Sequence, residues 1–229
     1  MTTWVIAGAS GFLGQYLVRV FRRRGDRVRT IGRGSAADAR WGDPIGIARV
    51  LDGADVLVNL AGRSVNCRYT AANRREIVES RVATTRQLAH AVQSASRPPS
   101  VWLNASTATI YRHAEDRPMT EADGELGTGF SVEVARAWER ELFEPVLPRT
   151  RRVAMRIAIV LGRGSVLPPL VRLVRLGLGG PQLDGRWFAT RARRAAGVQH
   201  ENRHTRGRQR FSWVHIDDVR RAIDFLAER

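Results

Sequence analysis

Residues Val5 to Gly14 read V-I-A-G-A-S-G-F-L-G, and this stretch limits the fold more than any other. A short apolar run stops at Gly8. Glycines recur at Gly11 and Gly14, and Gln15 to Phe21 continues with helical spacing. A strand, a tight turn and a helix start in this order form a cradle for a dinucleotide. Gly8 permits the sharp turn, Gly11 lets the backbone approach a pyrophosphate, and Gly14 allows close packing of helix on strand. The free N–H groups and the dipole of the helix start then hold phosphate oxygens. The competing reading is a plain glycine turn between a strand and a helix. The context favours the cradle, because a strand precedes the motif and a helix follows it.

Beyond the turn, strands and helices alternate. Trp4–Ala7 reads as a strand, Phe12–Arg24 as an amphipathic helix closed by Gly25, and Arg27–Ile31 as a second strand. A short helix over Ile45–Leu51 precedes a buried strand over Asp55–Asn59. A long helix is expected over Ala71–Ala95, a strand over Val101–Ala105 and a helix over Phe130–Leu142. A strand over Val153–Leu161, a helix over Val166–Leu176, a strand over Phe211–His215 and a helix over Asp217–Ala227 complete the chain. This alternation predicts an α/β fold, a doubly wound parallel sheet of Rossmann type covered on both faces. The 229 residues suffice for one large core. Residues 1–162 are expected to form the dinucleotide-binding domain. Residues 163–229 would form a small, shortened substrate-side region, whose last strand and helix pack back on the core. Within it, residues 185–210 form an arginine-rich loop, either a solvated connection or a basic flap over an anionic ligand.

The end of the second strand bears on the choice of coenzyme. An acidic residue there would hold the ribose hydroxyls of NAD. The sequence instead runs Val28-Arg29-Thr30-Ile31-Gly32-Arg33, with Asp26 before the strand. Arg33 stands where a guanidinium pairs with a 2′-phosphate, so NADP(H) is favoured over NAD(H).

Composition narrows the remaining classes. The net charge is +16, and all 38 basic residues are arginine. Total exclusion of lysine points to compositional bias on solvated faces. No nucleic-acid-binding motif accompanies the charge, so nucleic acid is disfavoured as a partner. No apolar stretch is long enough for a bilayer, and no signal peptide is evident. Cys67 is the only cysteine, which excludes an intrachain disulfide and fits a reducing, cytoplasmic setting. His200 and His204 have the spacing of a helical metal pair but lack a third ligand, so no metal site is expected. The expected partners are a dinucleotide and an unidentified small molecule, on a monomer or homodimer.

The glycine pattern, Asn59-Leu60-Ala61-Gly62 after the third long strand and Ala105-Ser106-Thr107 after the fourth resemble the short-chain dehydrogenase/reductase superfamily. Ser80-Arg81, Trp138-Glu139, Val160-Leu161-Gly162, Gly177-Leu178-Gly179-Gly180-Pro181 and Ser212-Trp213-Val214-His215-Ile216-Asp217-Asp218 are similar to one atypical branch. Its members are the epimerase family proteins, akin to nucleoside-diphosphate-sugar epimerases. The resemblance implies that Gly8, Ser10, Gly11, Phe12, Leu13 and Gly14 wrap the pyrophosphate and that Arg33 meets the 2′-phosphate. It places Leu60, Ala61 and Gly62 beside the adenosine and ribose, and Ala105 and Ser106 beside the nicotinamide ribose. Ser106 falls where the superfamily has its carbonyl-polarising hydroxyl.

Two departures stand out. The superfamily's Tyr–Lys acid/base pair would fall on the helix that starts at Phe130. Here Phe130 stands near the Tyr place and Val134 near the Lys place, and the chain has no lysine; the branch it resembles generally lacks the pair. Tyr111, five residues past Ser106, is the remaining candidate acid, with a half-buried packing tyrosine as its alternative. The second departure is length, since relatives continue past the last helix with a segment that helps close the substrate cleft. The implied activity is that of an oxidoreductase or epimerase on a sugar-nucleotide or small carbonyl compound. A non-catalytic dinucleotide sensor or assembly factor is the alternative.

Overall fold

The computed structural model describes residues 1–114, 116–164, 166–179 and 211–228, with Arg191 and Ala195 as isolated positions. The arginine-rich loop expected over 185–210, and His200 and His204 within it, therefore lie outside the described residues apart from those two.

The elements are β1 (Thr3–Ala7), α1 (Phe12–Arg23), β2 (Arg27–Gly32), β3 (Ala39–Arg40), α2 (Pro44–Leu51), β4 (Val56–Asn59), α3 (Ala71–Ser94) and β5 (Val101–Thr107). A 3₁₀ turn (Ala108–Ile110) leads to α4 (Phe130–Phe143), β6 (Arg151–Ile157), β7 (Ile159–Leu161), α5 (Leu167–Arg175), β8 (Trp213–His215) and α6 (Ile216–Glu228). The main sheet has the order β3-β2-β1-β4-β5-β6, and every pair in it is parallel. This is the doubly wound order, in which the order of winding reverses between β1 and β4.

Strand alternation distributes the core. On β1, Val5 and Ala7 face one side with Leu57 and Trp102, where Ile47 and Leu51 of α2, Leu88 and Val92 of α3, and Leu142 of α4 cover them. Trp4 and Ile6 face the other side with Val58 and Leu103, under Leu17 and Phe21 of α1 and Val219 and Ile223 of α6. Strands buried on both faces read as continuous apolar runs, which is why V-L-V-N and T-W-V-I-A show no polar alternation.

The expected strand over Val153–Leu161 is two strands. β6 closes the edge of the main sheet, whereas β7 leaves it and pairs in parallel with β8, Ile159 to Trp213 through Leu161 to His215. Apolar periodicity is blind to a change of hydrogen-bonding partner, so the break at Ala158 carried no signal. The last helix starts at Ile216, so Asp217 belongs to its first turn rather than capping it. Asp217 accepts from the Tyr16 hydroxyl, and its own N–H donates to His215 Nδ1 at 3.3 Å. The two-residue strand β3 was also unforeseen, being too short for any period to register.

The N-terminal turn shows which glycines the fold itself requires. Gly8 has φ of +82°, and a Cβ there would lie 2.8 Å from the backbone of Leu60 and Ala61. At Gly14 a Cβ would run into the Gly8 carbonyl oxygen and the Ala9 backbone, which cannot rotate away. Replacing Gly14 by Ala should gain about 1 kcal/mol of helix propensity. It should lose more, about 1–3 kcal/mol or beyond, to overpacking against main chain. Urea denaturation of Gly14→Ala is therefore expected to show net destabilisation, and a stabilised variant would refute the close packing.

Candidate functional site

The glycine turn and the ends of β2, β4 and β5 meet at the carboxyl edge of the sheet, where folds of this order bind ligands. Gly8 N–H donates to the Ile31 carbonyl at 3.0 Å, and Gly11 N–H to the Gly8 carbonyl at 3.0 Å. These bonds tie the turn to β2 and close it on itself. Gly11 is the N-cap of α1, no side chain caps the helix, and its first turn holds no acidic residue. Helix N–H groups left without a side-chain partner there are suited to an anion. Ser10 and Gly11 are exposed, Phe12 and Leu13 are half-buried, and Gly14 is buried. A Cβ on Gly11 would meet only the Gly8 oxygen, at an ordinary 3.4 Å. The protein itself thus has no need of glycine at position 11, in contrast to positions 8 and 14.

Arg33 is exposed just past β2. The acid nearest in sequence beyond it, Asp38, is already engaged. Its Oδ2 accepts from the Thr30 N–H at 2.7 Å and the Thr30 hydroxyl at 2.8 Å. Leu60 donates its N–H to the Ala7 carbonyl at 2.9 Å, and Ala61 donates its N–H to Asn59 Oδ1 at 3.0 Å. Gly62 is exposed over the Arg81 guanidinium. A buried polar chain supports these loop starts. Asn59 Nδ2 donates to Asn104 Oδ1 at 2.7 Å and to Thr85 Oγ1 at 3.2 Å, and Trp138 Nε1 donates to the same Thr85 oxygen at 3.0 Å. Asn104 Nδ2 in turn donates to the Ala105 carbonyl at 2.8 Å.

Ser106 is buried at the end of β5, and its Oγ donates to Glu139 Oε1 at 2.6 Å. Glu139, on α4, holds Arg156 of β6 in a two-point ion pair, at 3.0 Å from Nε and 2.9 Å from Nη2. The remaining arm of Arg156, Nη1, donates to the Tyr111 hydroxyl at 2.7 Å, and the guanidinium lies 5.1 Å from the Tyr111 ring centre. The structure therefore joins the two sequence candidates, Ser106 and Tyr111, through two residues. Glu139 is a salt-bridging group at the centre of this network. Arg156 carries no signal in the sequence, being one arginine among 38.

Proton placement follows from this network. A serine hydroxyl has one proton. Ser106 gives it to Glu139, so its oxygen offers only lone pairs to anything above. Tyr111 accepts from Arg156, and among the described residues no acceptor takes the phenol proton. Burial raises the Glu139 carboxyl, yet the bonds from Arg156 and Ser106 outweigh it and hold the group below its ordinary range. The bonds to Glu139 likewise raise Arg156, against the effect of burial.

Phe130 and Val134 are buried against Ile77 of α3. The Tyr69 ring meets the edge of Phe130 at 5.7 Å, and the Arg74 guanidinium lies 4.3 Å over it. Both side chains are thus taken up by packing. Among the described residues no cluster of three metal-ligating side chains occurs, and no helix is long and apolar enough to cross a membrane.

A parallel sheet in this order, with a glycine turn leading into α1, defines a Rossmann-type α/β protein. Residues 4–130 match the NAD dependent epimerase/dehydratase family, and the chain belongs to that family. Epimerase family protein YfhF of Bacillus subtilis is 26% identical over 97% of the chain and 69% of its own length. Epimerase family protein SDR39U1 of Bos taurus is 30% identical over 94% of the chain and 66% of its own length. The chain thus spans about two thirds of these relatives. The crystal structure of human epimerase family protein SDR39U1 (isoform 2) with NADPH superimposes with a TM-score of 0.77. It is 26% identical and is matched over 99% of this chain and 70% of its own. MoeE5 in complex with UDP-glucose and NAD has a TM-score of 0.71 at 21% identity, over 98% of this chain and 71% of its own, and shares the fold.

Because Glu139 is depressed when folded, its stabilising effect is present above the ordinary glutamate value of about 4.3 and is lost as pH falls through the folded value. Glu139→Gln is expected to melt below wild type at pH 7. The gap should close as both are acidified past about pH 4. A gap that persists unchanged at low pH would show that the carboxylate charge is not what holds Arg156.

Proposed function

We propose that this chain binds NADP(H) across the glycine turn and serves as an oxidoreductase or epimerase on a small carbonyl or sugar-nucleotide substrate. The observation that carries this reading is Gly11. It is bare, exposed and not demanded by protein packing, and it caps a helix whose first N–H groups have no side-chain partner. Those are the conditions under which a pyrophosphate can lie against backbone. The relative solved with NADPH supports the same coenzyme. Arg33, exposed and unopposed at the end of β2, suits a 2′-phosphate, while the engagement of Asp38 by Thr30 leaves that carboxylate committed away from ribose hydroxyls.

A bound nicotinamide supplies or accepts hydride. The chain's own residues handle the proton. Ser106, with its proton committed to Glu139, accepts a hydrogen bond from a ligand hydroxyl or amide instead of polarising a carbonyl. Tyr111 is the group with a proton to give, and Arg156 fixes its oxygen from behind.

A non-catalytic dinucleotide sensor is the second reading, favoured by the burial of Phe130 and Val134 at the acid/base positions. Turnover separates the two. On the first reading NADPH is consumed with some member of a carbonyl panel, and Tyr111→Phe slows this about 100-fold or more. No consumption by wild type, with coenzyme still bound, would leave the sensor.

Coenzyme binding itself is tested by thermal shift with NADPH, NADP, NADH and NAD in parallel. The phosphorylated pair should raise the melting temperature of wild type. Arg33→Ala should weaken NADPH about tenfold and leave NADH unchanged. Gly11→Ala should melt close to wild type without coenzyme yet lose the shift. No shift in wild type at millimolar coenzyme would overturn the reading.

A further inference from the structure

Arg81 is the charged group of this region that the reading above leaves unused. It lies on α3, half-buried, with its guanidinium 5.0 Å from the Trp138 ring centre and directly beneath Gly62. The Arg81 Cζ is 3.1 Å from where a Cβ on Gly62 would stand. One Nη1 proton goes to the Ile77 carbonyl at 2.9 Å. A guanidinium has five N–H donors, and among the described residues no other acceptor meets them.

Its surroundings make this unusual. Arg63 holds Glu76, Arg86 holds Glu141 at 2.5 Å, and Arg156 holds Glu139 at 2.9 Å. Among the described residues no carboxylate pairs with Arg81. Burial alone pulls the guanidinium below its usual range, and the one opposing influence is the Tyr69 phenol. A cation taken partly out of water without a counter-charge is costly, and folded chains normally pair it. Here the partner is missing where the loop after β4 opens onto the carboxyl edge of the sheet. Trp138, on which Arg81 rests, precedes Glu139 in the chain. Of the two guanidinium groups Arg81 and Arg156, only the second is neutralised by a carboxylate.

We propose that Arg81 is an anion anchor, its guanidinium fork taking the acidic oxygens of a ligand, carboxylate or phosphate, laid over the ends of β4 and β5. On the function proposed above, on which this placement of the ligand rests, the substrate is an anionic carbonyl compound and Arg81 orients it. The same chemistry is offered by the phosphates of the coenzyme, and the two sources are separable.

The test is calorimetry on the whole chain at about 0.15 M salt, where exposed arginines are screened. NADPH is titrated first, and malonate is then titrated into both coenzyme-free and NADPH-saturated protein. Wild type should bind malonate, and Arg81→Met should weaken it about tenfold or more. If the coenzyme supplies the anion, the same loss appears for NADPH instead. Arg81→Lys keeps stem and charge but loses the fork, and should weaken the responsive probe about threefold. It stands in if Arg81→Met does not fold. A folded variant that binds both probes as wild type does would overturn the anchor. Failure of wild type to bind NADPH, with malonate binding still dependent on Arg81, would overturn the coenzyme reading and uphold the anchor.

Discussion

The backbone contact between Gly14 and the Gly8 carbonyl governs the architecture at the sheet edge. A side chain at either position would strike main chain, not a movable neighbour. Because both are bare, α1 can start within one turn of β1 and lie flat on the sheet, with Leu17 and Phe21 reaching Trp4 and Ile6. The same approach presses Gly8 against Leu60 and Ala61, which brings the loop after β4 to the mouth of the turn. The doubly wound order then sets β5 and Ser106 next in line. Position 11 alone in this turn is free of such demands, so its lack of a side chain points outward.

Much of this was legible in the sequence, for a physical reason. Strands buried on both faces and helices buried on one leave apolar runs and 3.6-residue stripes that survive without coordinates. The glycine spacing marked the turn. What stayed hidden depended on partners distant in sequence. Nothing local distinguishes Glu139 from Glu133, yet one is held between Ser106 and Arg156 and the other lies exposed on the helix. Arg81 could be quoted as part of a motif, but that it lacks a counter-charge emerges only when α3, α4 and the loop after β4 are assembled. The turn of the chain at Ala158 from one sheet into another was illegible because the run from Val153 to Leu161, interrupted only by Arg156, stays apolar straight through it.

Arginine supplies every one of the 38 long basic side chains in this chain. A planar guanidinium engages several acceptors at fixed angles, where an ammonium would act as a point charge. Arg156 uses this to hold a carboxylate with two arms and a phenol with a third. Arg152 instead directs one arm, Nη1, at the carbonyls of Leu142, Phe143 and Pro145 where α4 ends. With no lysine in the chain, its long basic side chains all keep their charge at any working pH.

Phe12, the first residue of α1, also touches the small sheet. Its ring lies 3.2 Å from where a Cβ on Gly162 would stand, and Ile216 closes the same spot from the other side at 3.0 Å. The ring also borders Gly164. The loop leaving β7 and the start of α6 thus share a pivot with the helix that begins at the glycine turn. Val160 of β7 and Val214 of β8 also rest on the core that α1 covers, so the small sheet and the helix start share one packed seam.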